Sequence, residues 1–203
     1  MSGHAATIST KTIRDEILAY CRRFDPDPAH ALHVAHVAVK LFDELKNAGL
    51  HTMAQQYRVL LEYGCILHDI GWSEGQTKHH KRAFSMIEKA QLPLSKEDQR
   101  IVALVARFHR KAEPDDQPEF QVLSAQTRDV VSKLAAIIRI ADSLDRLHNQ
   151  QAHIEKVIIS EAGVKICVTG GFLKSIPEQV LAKKTAYFKK AFSLPAILSE
   201  KPV

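Results

Sequence analysis

Apolar residues recur at helical spacing through most of the first 150 residues of the chain. Ile13, Ile17 and Cys21 form the first of these stripes, and prolines or glycines separate it from the ones that follow. Asp27 followed by Pro28 is typical of a helix start. The pattern predicts helices over about residues 12–23, 28–48, 54–68, 79–90, 95–109 and 127–148.

The apolar period changes to two residues after His153. Residues 154–159 are rich in isoleucine and valine, and residues 164–168 alternate between apolar and other side chains. This pattern predicts a β-hairpin. Ser175 and Glu178 then form a capping-box pattern, which predicts the start of a final helix.

The composition agrees with one soluble domain. The chain has 203 residues, of which 45% are hydrophobic and 25% charged, which is enough to bury a substantial core. We therefore expect a mainly α fold with a helical bundle over residues 1–150. The hairpin and last helix, residues 151–203, are expected to pack on that same domain.

Membrane and secreted classes are not expected. Residues 130–138 form the longest nearly uncharged stretch and still contain Lys133, whereas a helix that spans a bilayer needs ~20 apolar residues. The N-terminal residues show no secretory signal pattern, so a cytoplasmic location is expected. Cys21, Cys65 and Cys167 lie among apolar neighbours, which indicates reduced core cysteines.

Some of the eleven histidines fall on apolar helix faces. His30 shares a face with Val34 and Val37, His68 ends an apolar stripe, and His109 follows another. Two histidines of the second helix instead share its polar face, where we expect solvent exposure. The histidines that need no special role are His4, His33, His36, His51, His148 and His153.

Asp142 also lies on an otherwise apolar helix face. A buried carboxylate costs several kcal/mol unless it is paired or coordinated. One interpretation is an ion pair with Arg139 or Arg146 on the same helix. The other is a mixed nitrogen and oxygen site for a divalent ion such as Mn, Fe, Co, Ni, Zn or Mg. The members of that site would be His30, His68, Asp69 and Asp142.

The order of these residues resembles the HD-domain metal-dependent phosphohydrolases, in which His, His-Asp and Asp follow one another along the chain. Other strings are similar to the C-terminal HD-type domain of the exopolyphosphatase and guanosine pentaphosphate phosphohydrolase family. The resemblance extends over about residues 25–150. The sequence segments that carry the resemblance are Leu67-His68-Asp69-Ile70-Gly71, Leu41-Phe42-Asp43, His79-His80-Lys81, Val105-Ala106-Arg107-Phe108-His109-Arg110-Lys111 and Arg139-Ile140-Ala141-Asp142-Ser143-Leu144-Asp145.

The resemblance implies two groups of metal ligands. The primary set is His30, His68, Asp69 and Asp142, and a second ion would use His79 or His80 together with His109. This chain has Arg82 and Ala83 where family members commonly have His and Ser, a departure that weighs against the second ion. The 203 residues do not include the family's glycine-rich ATPase-type domains, so exopolyphosphatase activity by that route is not expected.

The net charge of +5 fits an anionic ligand, because several cations flank the proposed metal ligands. The expected reaction is phosphoester or phosphoanhydride hydrolysis of a nucleotide or other small phosphate compound by a metal-activated water. Asp69 would orient this water, and protonated His80 or His109 would assist the leaving oxygen. The expected substrate-binding residues are Lys81, Arg82, Arg110, Arg139 and Arg146.

The alternative is a non-catalytic regulatory module that binds a metal and a phosphate-rich ligand, such as a nucleotide or polyphosphate. Nucleic acid is not expected as a partner, since no basic strip with interleaved aromatic residues is present. The lysine pairs of the last helix are interpreted as solubilising charges on a solvent-facing surface, with extension of an anion-binding groove as the alternative; they are Lys183-Lys184 and Lys189-Lys190. Aromatic residues of the same helix are interpreted as core residues or as contacts of a homodimer, namely Tyr187, Phe188 and Phe192.

Overall fold

A computed structural model describes residues 10–110, 113–170 and 176–200 of the chain. Helices dominate these ranges, which confirms the mainly α fold. Two short 3-10 turns, Ile70–Glu74 and Pro114–Asp116, lie between helices. The α-helices are α1 (Thr10–Phe24), α2 (Pro28–Asn47), α3 (Gln55–Ile66), α4 (His79–Lys89), α5 (Lys96–Phe108), α6 (Pro118–Gln121), α7 (Ala125–Leu144) and α8 (Glu178–Phe192). The strands are β1 (His153–Ser160), β2 (Gly163–Thr169) and β3 (Ala196–Glu200).

Short polar side chains begin three of the long helices. The Asp27 carboxylate accepts a hydrogen bond from the His30 backbone N–H at 3.2 Å, and this bond caps α2. Ser95 caps α5 and Ser124 caps α7 in the same way. Such caps typically contribute about 1 kcal/mol each because they pair helix N–H groups that would otherwise lack a partner.

The helical core forms where the apolar faces of α2, α3, α5 and α7 meet. Phe42 and Phe108 are fully buried there, and Val34 and Val37 lie in the core on α2, as the amphipathic pattern predicts. No helix in the described ranges is both long enough and apolar enough to cross a membrane.

The hairpin is extended into a mixed sheet of order β1-β2-β3. Strands β1 and β2 pair antiparallel, with Ile154 opposite Val168. Strand β3 pairs parallel with β2 and places Ala196 opposite Val164. Strand β3 was not predicted, because its five residues carry little pattern of their own and become a strand by pairing with β2.

Helix α8 packs on α7, and its aromatic residues belong to the core. Phe188 is fully buried, and Tyr187 and Phe192 are nearly so. Burial of one such side chain stabilises the fold by roughly 1.5–3 kcal/mol. Pro177 occupies the N-cap position and forms no side-chain cap. The predicted cap residue Ser175 lies outside the described residues.

Two helices end earlier than the sequence pattern predicts. Helix α3 ends at Ile66, so His68 lies in the turn that follows it. Helix α7 ends at Leu144 because the chain then makes a tight turn, in which His148 and Gln150 have positive φ angles of 53° and 55°. The apolar pattern does not predict such turns, because local polar contacts stabilise them.

Candidate metal centre

His30 lies in the first turn of α2, where the Asp27 cap and Pro28 start the helix. Its side chain is buried, and its Nδ1–H donates to Asp145 Oδ2 at 2.8 Å. The opposite ring nitrogen, Nε2, lies 3.8 Å from Asp142 Oδ1. The contact with Asp145 thus turns the Nε2 edge of His30 toward Asp142.

His68 and Asp69 lie between α3 and the 3-10 turn. His68 is fully buried and donates Nδ1–H to the Cys65 carbonyl at 2.6 Å. Its Nε2 atom lies 3.4 Å from Asp69 Oδ2 and 3.9 Å from Asp142 Oδ1. No hydrogen-bond partner for this Nε2 is present among the described residues.

His79 and His109 approach Asp69 from the other side. His79 begins α4 and donates Nδ1–H to the Gln76 carbonyl at 2.8 Å. His109 follows α5 and donates Nδ1–H to the Ala106 carbonyl at 2.6 Å. The Nε2 atoms of His79 and His109 lie 3.2 Å and 3.6 Å from Asp69 Oδ1.

The four histidines therefore share one arrangement. Each uses Nδ1 in a hydrogen bond that orients the ring, which is the usual outer-shell arrangement of metal-bound imidazoles. Each directs Nε2 toward a carboxylate oxygen of Asp69 or Asp142. Their ligand atoms form two compact groups that have Asp69 in common.

These residues fit divalent cations. His79 Nε2 and His109 Nε2 are only 3.3 Å apart, and both rings already use Nδ1–H elsewhere. In this tautomer both Nε2 atoms are acceptors, so a shared cation satisfies them and a direct hydrogen bond does not. Asp69 Oδ1 is likewise buried without a hydrogen-bond partner among the described residues. Imidazole nitrogen with carboxylate oxygen suits Zn, Mn, Fe, Co and Ni.

Asp142 brings the C-terminal helix into the centre. One carboxylate oxygen, Oδ1, faces His30 and His68, and the other, Oδ2, accepts a hydrogen bond from Lys184 Nζ at 2.8 Å. Lys184 also donates to the His109 carbonyl at 3.2 Å. The interpretation of Lys184 as a solubilising charge is wrong, because packing of α8 on α7 brings this ammonium to the partly buried Asp142 carboxylate.

At Asp69 and Asp142, charged neighbours lower the carboxylate pKa more than burial raises it. Burial raises the pKa of Asp69, but the neighbouring imidazoles, His68 first among them, lower it more, so the pKa lies below its usual range. Burial also raises the pKa of Asp142, and the Lys184 ammonium, with further neighbours, brings it well below the usual value. Both carboxylates are therefore ionised at neutral pH, the form that binds a cation.

His109 and His30 differ in charge at pH 7. Burial lowers the pKa of His109 well below its usual value, so this imidazole is neutral at pH 7. Burial also lowers the pKa of His30, but the nearby carboxylates of Asp142 and Asp145 outweigh it and raise the pKa to about 10. The metal-free centre thus holds a proton on His30 that an ion must displace.

The sequence leaves open whether His79 or His80 belongs to the centre, and the structure brings His79 to Asp69. The His80 ring lies edge-on to His79, with ring centroids 5.6 Å apart, and is in neither ligand group. Burial, with the nearby charge of Arg107, lowers the pKa of His80 to about 4. His80 is therefore neutral at pH 7, whereas the expected leaving-group acid is protonated.

Two of the predicted substrate-binding arginines are engaged with the backbone. Arg82 donates Nε–H to the Gly71 carbonyl at 2.9 Å and Nη1–H to the Thr77 carbonyl at 2.6 Å. Arg139 donates Nε–H to the Phe108 carbonyl at 2.7 Å and lies over the Tyr187 ring at 3.8 Å. These contacts hold the 3-10 turn and α8 in place around the centre.

The other predicted cations lie at the surface. Lys81 and Arg146 are exposed. Arg110 is also exposed, and it lines a cleft of about 190 Å³ beside α8. Lys183 and Lys184 line the same cleft, so its wall is basic and reaches the Asp142 carboxylate through Lys184.

Three contributors to the centre were not predicted from the sequence, namely Asp145, His148 and Lys184. The sequence could have identified Asp145, since it lies three residues after Asp142 on the same helix face. His148 stacks on His30 with ring centroids 3.8 Å apart and bonds to Asp27 Oδ2 at 2.7 Å. Neither His148 nor Lys184 lies on a patterned face near the centre, so no local signal distinguishes them.

The fold and this cluster define a helical domain with two adjoining His/Asp ligand groups. Residues 13–183 match the family model for the Ppx/GppA phosphatase, domain III. The chain therefore belongs to this family. The match confirms the resemblance to the exopolyphosphatase and guanosine pentaphosphate phosphohydrolase family. It also spans the hairpin and the first part of α8.

Proposed function

We propose that this chain is an HD-type, metal-dependent phosphohydrolase that acts on a nucleotide or other small phosphate ester or anhydride. The observation that carries the proposal is the convergence of four oriented imidazoles on Asp69 and Asp142. One ion would be held by His30, His68, Asp69 and Asp142, and a second by Asp69, His79 and His109. When bound, such ions polarise phosphoryl oxygens and lower the pKa of water to near neutrality.

The residues of the chain have separate tasks in this proposal. Asp69 lies between the two ligand groups and holds both together, since its two oxygens face different histidines. Arg110 and Lys183 have no ion-pair partner in the described ranges, and they present charged donors along the cleft. Hydrogen bonds from such cations to phosphate oxygens are short and strong, which supports phosphate binding beside the centre.

The proposal is tested by turnover assays on the full chain loaded with Mn²⁺ or Co²⁺. The substrates are nucleoside mono-, di- and triphosphates, pyrophosphate, phosphodiesters and small phosphomonoesters, with released phosphate or nucleotide as the readout. We expect turnover of at least one class, its loss with a chelator and its return with added metal. Stoichiometric metal binding without turnover of any class would overturn the assignment as an enzyme.

One observation favours a non-catalytic module that binds a metal and a phosphate-rich ligand. Both histidines predicted to donate a proton to the leaving oxygen, His80 and His109, have lowered pKa values and are neutral at pH 7. Binding of a phosphate compound needs no proton donor, whereas departure of a poor leaving group does. Calorimetry with a non-hydrolysable diphosphate, beside the turnover assay, separates tight binding from hydrolysis.

The assignment of the second ion predicts opposite results for two adjacent histidines. His79→Ala is expected to reduce the metal content from two ions to one, because it removes a ring that faces Asp69. His80→Ala is the matched control and is expected to retain both ions. Elemental analysis after dialysis against dilute metal provides the measurement, and equal metal content in the two variants would contradict the assignment.

Lys184 is expected to act as a positioning residue for Asp142. Lys184→Met removes the hydrogen bond that directs Oδ1 toward His30 and His68, so metal affinity should fall roughly 10–100-fold, the usual loss for an outer-shell partner. Lys184→Arg should restore part of the affinity. Lys183→Met changes the next residue in the same cleft and should leave affinity unchanged. Competition with a fluorescent chelator measures all three.

The proton on His30 predicts how metal binding depends on pH. Because the pKa of His30 is raised to about 10 and a ligand imidazole must be unprotonated, binding at pH 7 should release about one proton from this ring. Affinity should therefore weaken as the pH falls. Calorimetry in buffers of different ionisation enthalpy counts the protons. Asp145→Asn should reduce that count, and an unchanged count would contradict the prediction.

A further inference from the structure

A second histidine cluster lies on the outer side of α2, apart from the proposed metal centre. His33 and His36 are one helical turn apart, and His153 begins β1, the strand that packs against this helix. The ring centroids of His33 and His153 are 5.8 Å apart, and those of His36 and His153 are 6.4 Å apart. None of the three belongs to the ligand groups of the proposed metal centre.

His33 has the features of an oriented ligand. Its ring forms a hydrogen bond with the backbone carbonyl of Ala152, and its Nε2 atom is buried without a hydrogen-bond partner among the described residues. A buried ring nitrogen without a partner is uncommon in proteins and calls for a ligand or solvent. Burial also lowers the pKa of His33, which favours the neutral ring that binds a metal.

The ring separations in this cluster are close to those of imidazoles that share one metal ion. With Zn–N bonds of about 2.0–2.1 Å and tetrahedral angles, two imidazoles on one zinc have ring centroids roughly 5 Å apart. The observed separations exceed this by about an ångström. The proposed site therefore requires other rotamers of His36 and His153, and the exposure of both side chains permits them.

We propose that His33, His36 and His153 bind one divalent transition-metal ion of the Zn²⁺ or Ni²⁺ type. Three imidazole nitrogens match the ligand preference of these ions, and the exposed side leaves a position for water. The bound ion links β1 to α2 one turn beyond His30. It therefore joins the sheet to the helix that begins the proposed metal centre, and it does so independently of Asp69.

Zinc titration of the full chain tests this site. We expect His153→Ala to bind one zinc ion fewer than wild type, while Lys156→Ala, an exposed change in the same strand, keeps the wild-type stoichiometry. Zinc should also raise the melting temperature of wild type more than that of His153→Ala, because the link between β1 and α2 is absent in the variant.

The Asp69→Ala background separates the two metal sites. In this background the three-histidine site should still bind zinc, and the added His153→Ala change should abolish that binding. Residual binding that is the same with and without His153 would overturn the three-histidine site, whatever the outcome at Asp69. Loss of the site on His153→Ala but not on Lys156→Ala would support it even if the chain hydrolyses no phosphate compound.

Discussion

Asp69→Ala is expected to lose both metal ions and, with them, all phosphohydrolase activity. Asp69 is the only residue shared by the two ligand groups in the described part of the chain. One oxygen lies 3.4 Å from His68 Nε2 and the other lies 3.2 Å from His79 Nε2. Its removal therefore takes a ligand from both ions and removes a negative charge that offsets the repulsion between the two cations.

Asp43→Ala is the matched control for this variant. Asp43 lies on α2 and pairs with Arg58 at the surface, with side-chain exposures of 37% and 27%. Such a pair contributes about 0–1 kcal/mol, so metal content and activity should stay at wild-type values. Elemental analysis and phosphate release give the two readouts, with thermal unfolding to verify folding. Metal retention by Asp69→Ala would contradict the shared-ligand arrangement.

Gly71→Ala is expected to have the largest effect on stability and to displace His79. A Cβ atom at this position would overlap the backbone carbonyl of His79 and lie 2.8 Å from the backbone N of Ala83. Both neighbours belong to the α4 backbone, which cannot rotate away as a side chain can. Overpacking of this kind costs about 1–3 kcal/mol, and we expect the upper part of that range.

The displacement of His79 should also weaken the binding of the second ion. If α4 moves outward to admit the methyl group, His79 Nε2 moves away from Asp69 Oδ1. Urea unfolding measures the stability, and zinc titration measures the affinity. Ser73→Ala in the same 3-10 turn is the control, since it removes one hydrogen bond to the Ile70 carbonyl, worth about 1 kcal/mol. Wild-type stability in Gly71→Ala would contradict the close approach.

Helix α8 contacts the proposed metal centre although it is distant from the ligand residues along the chain. Lys184 contacts Asp142 and the His109 carbonyl, and Tyr187 covers the Arg139 guanidinium. Fixing these contacts together requires α8 to stay packed on α7, and burial of Phe188 provides that packing. The segment after residue 150 therefore stabilises the ligand geometry and lines the cleft beside it.

Amphipathic helix patterns predicted most of the fold and part of the candidate centre. His30 lies on the buried face of α2 because helical spacing aligns it with Val34 and Val37. His109 is buried for the same reason, and Asp142 lies on a face that is otherwise apolar. A helical face is a local property, so periodicity can identify it without any tertiary contact.

The same reasoning could not choose between His79 and His80. Adjacent residues project about 100° apart around a helix, and the short apolar stripe of α4 does not select one of them. The choice depends on how α4 packs against the 3-10 turn, where Gly71 permits close contact with the His79 backbone. The early end of α7 at Leu144 is also decided by a turn, since Asp145 accepts a hydrogen bond from the Gln150 N–H at 2.8 Å.

Neighbouring residues were enough to predict the helical class, the hairpin and the inward faces of His30, His109 and Asp142, because backbone periodicity and capping are local properties. Contacts between helices placed Asp69 between two ligand groups, turned His79 rather than His80 toward it, and brought Lys184 to Asp142. Those contacts join residues from separate helices. Their distances depend on how the helices pack, and that packing is a property of the whole core.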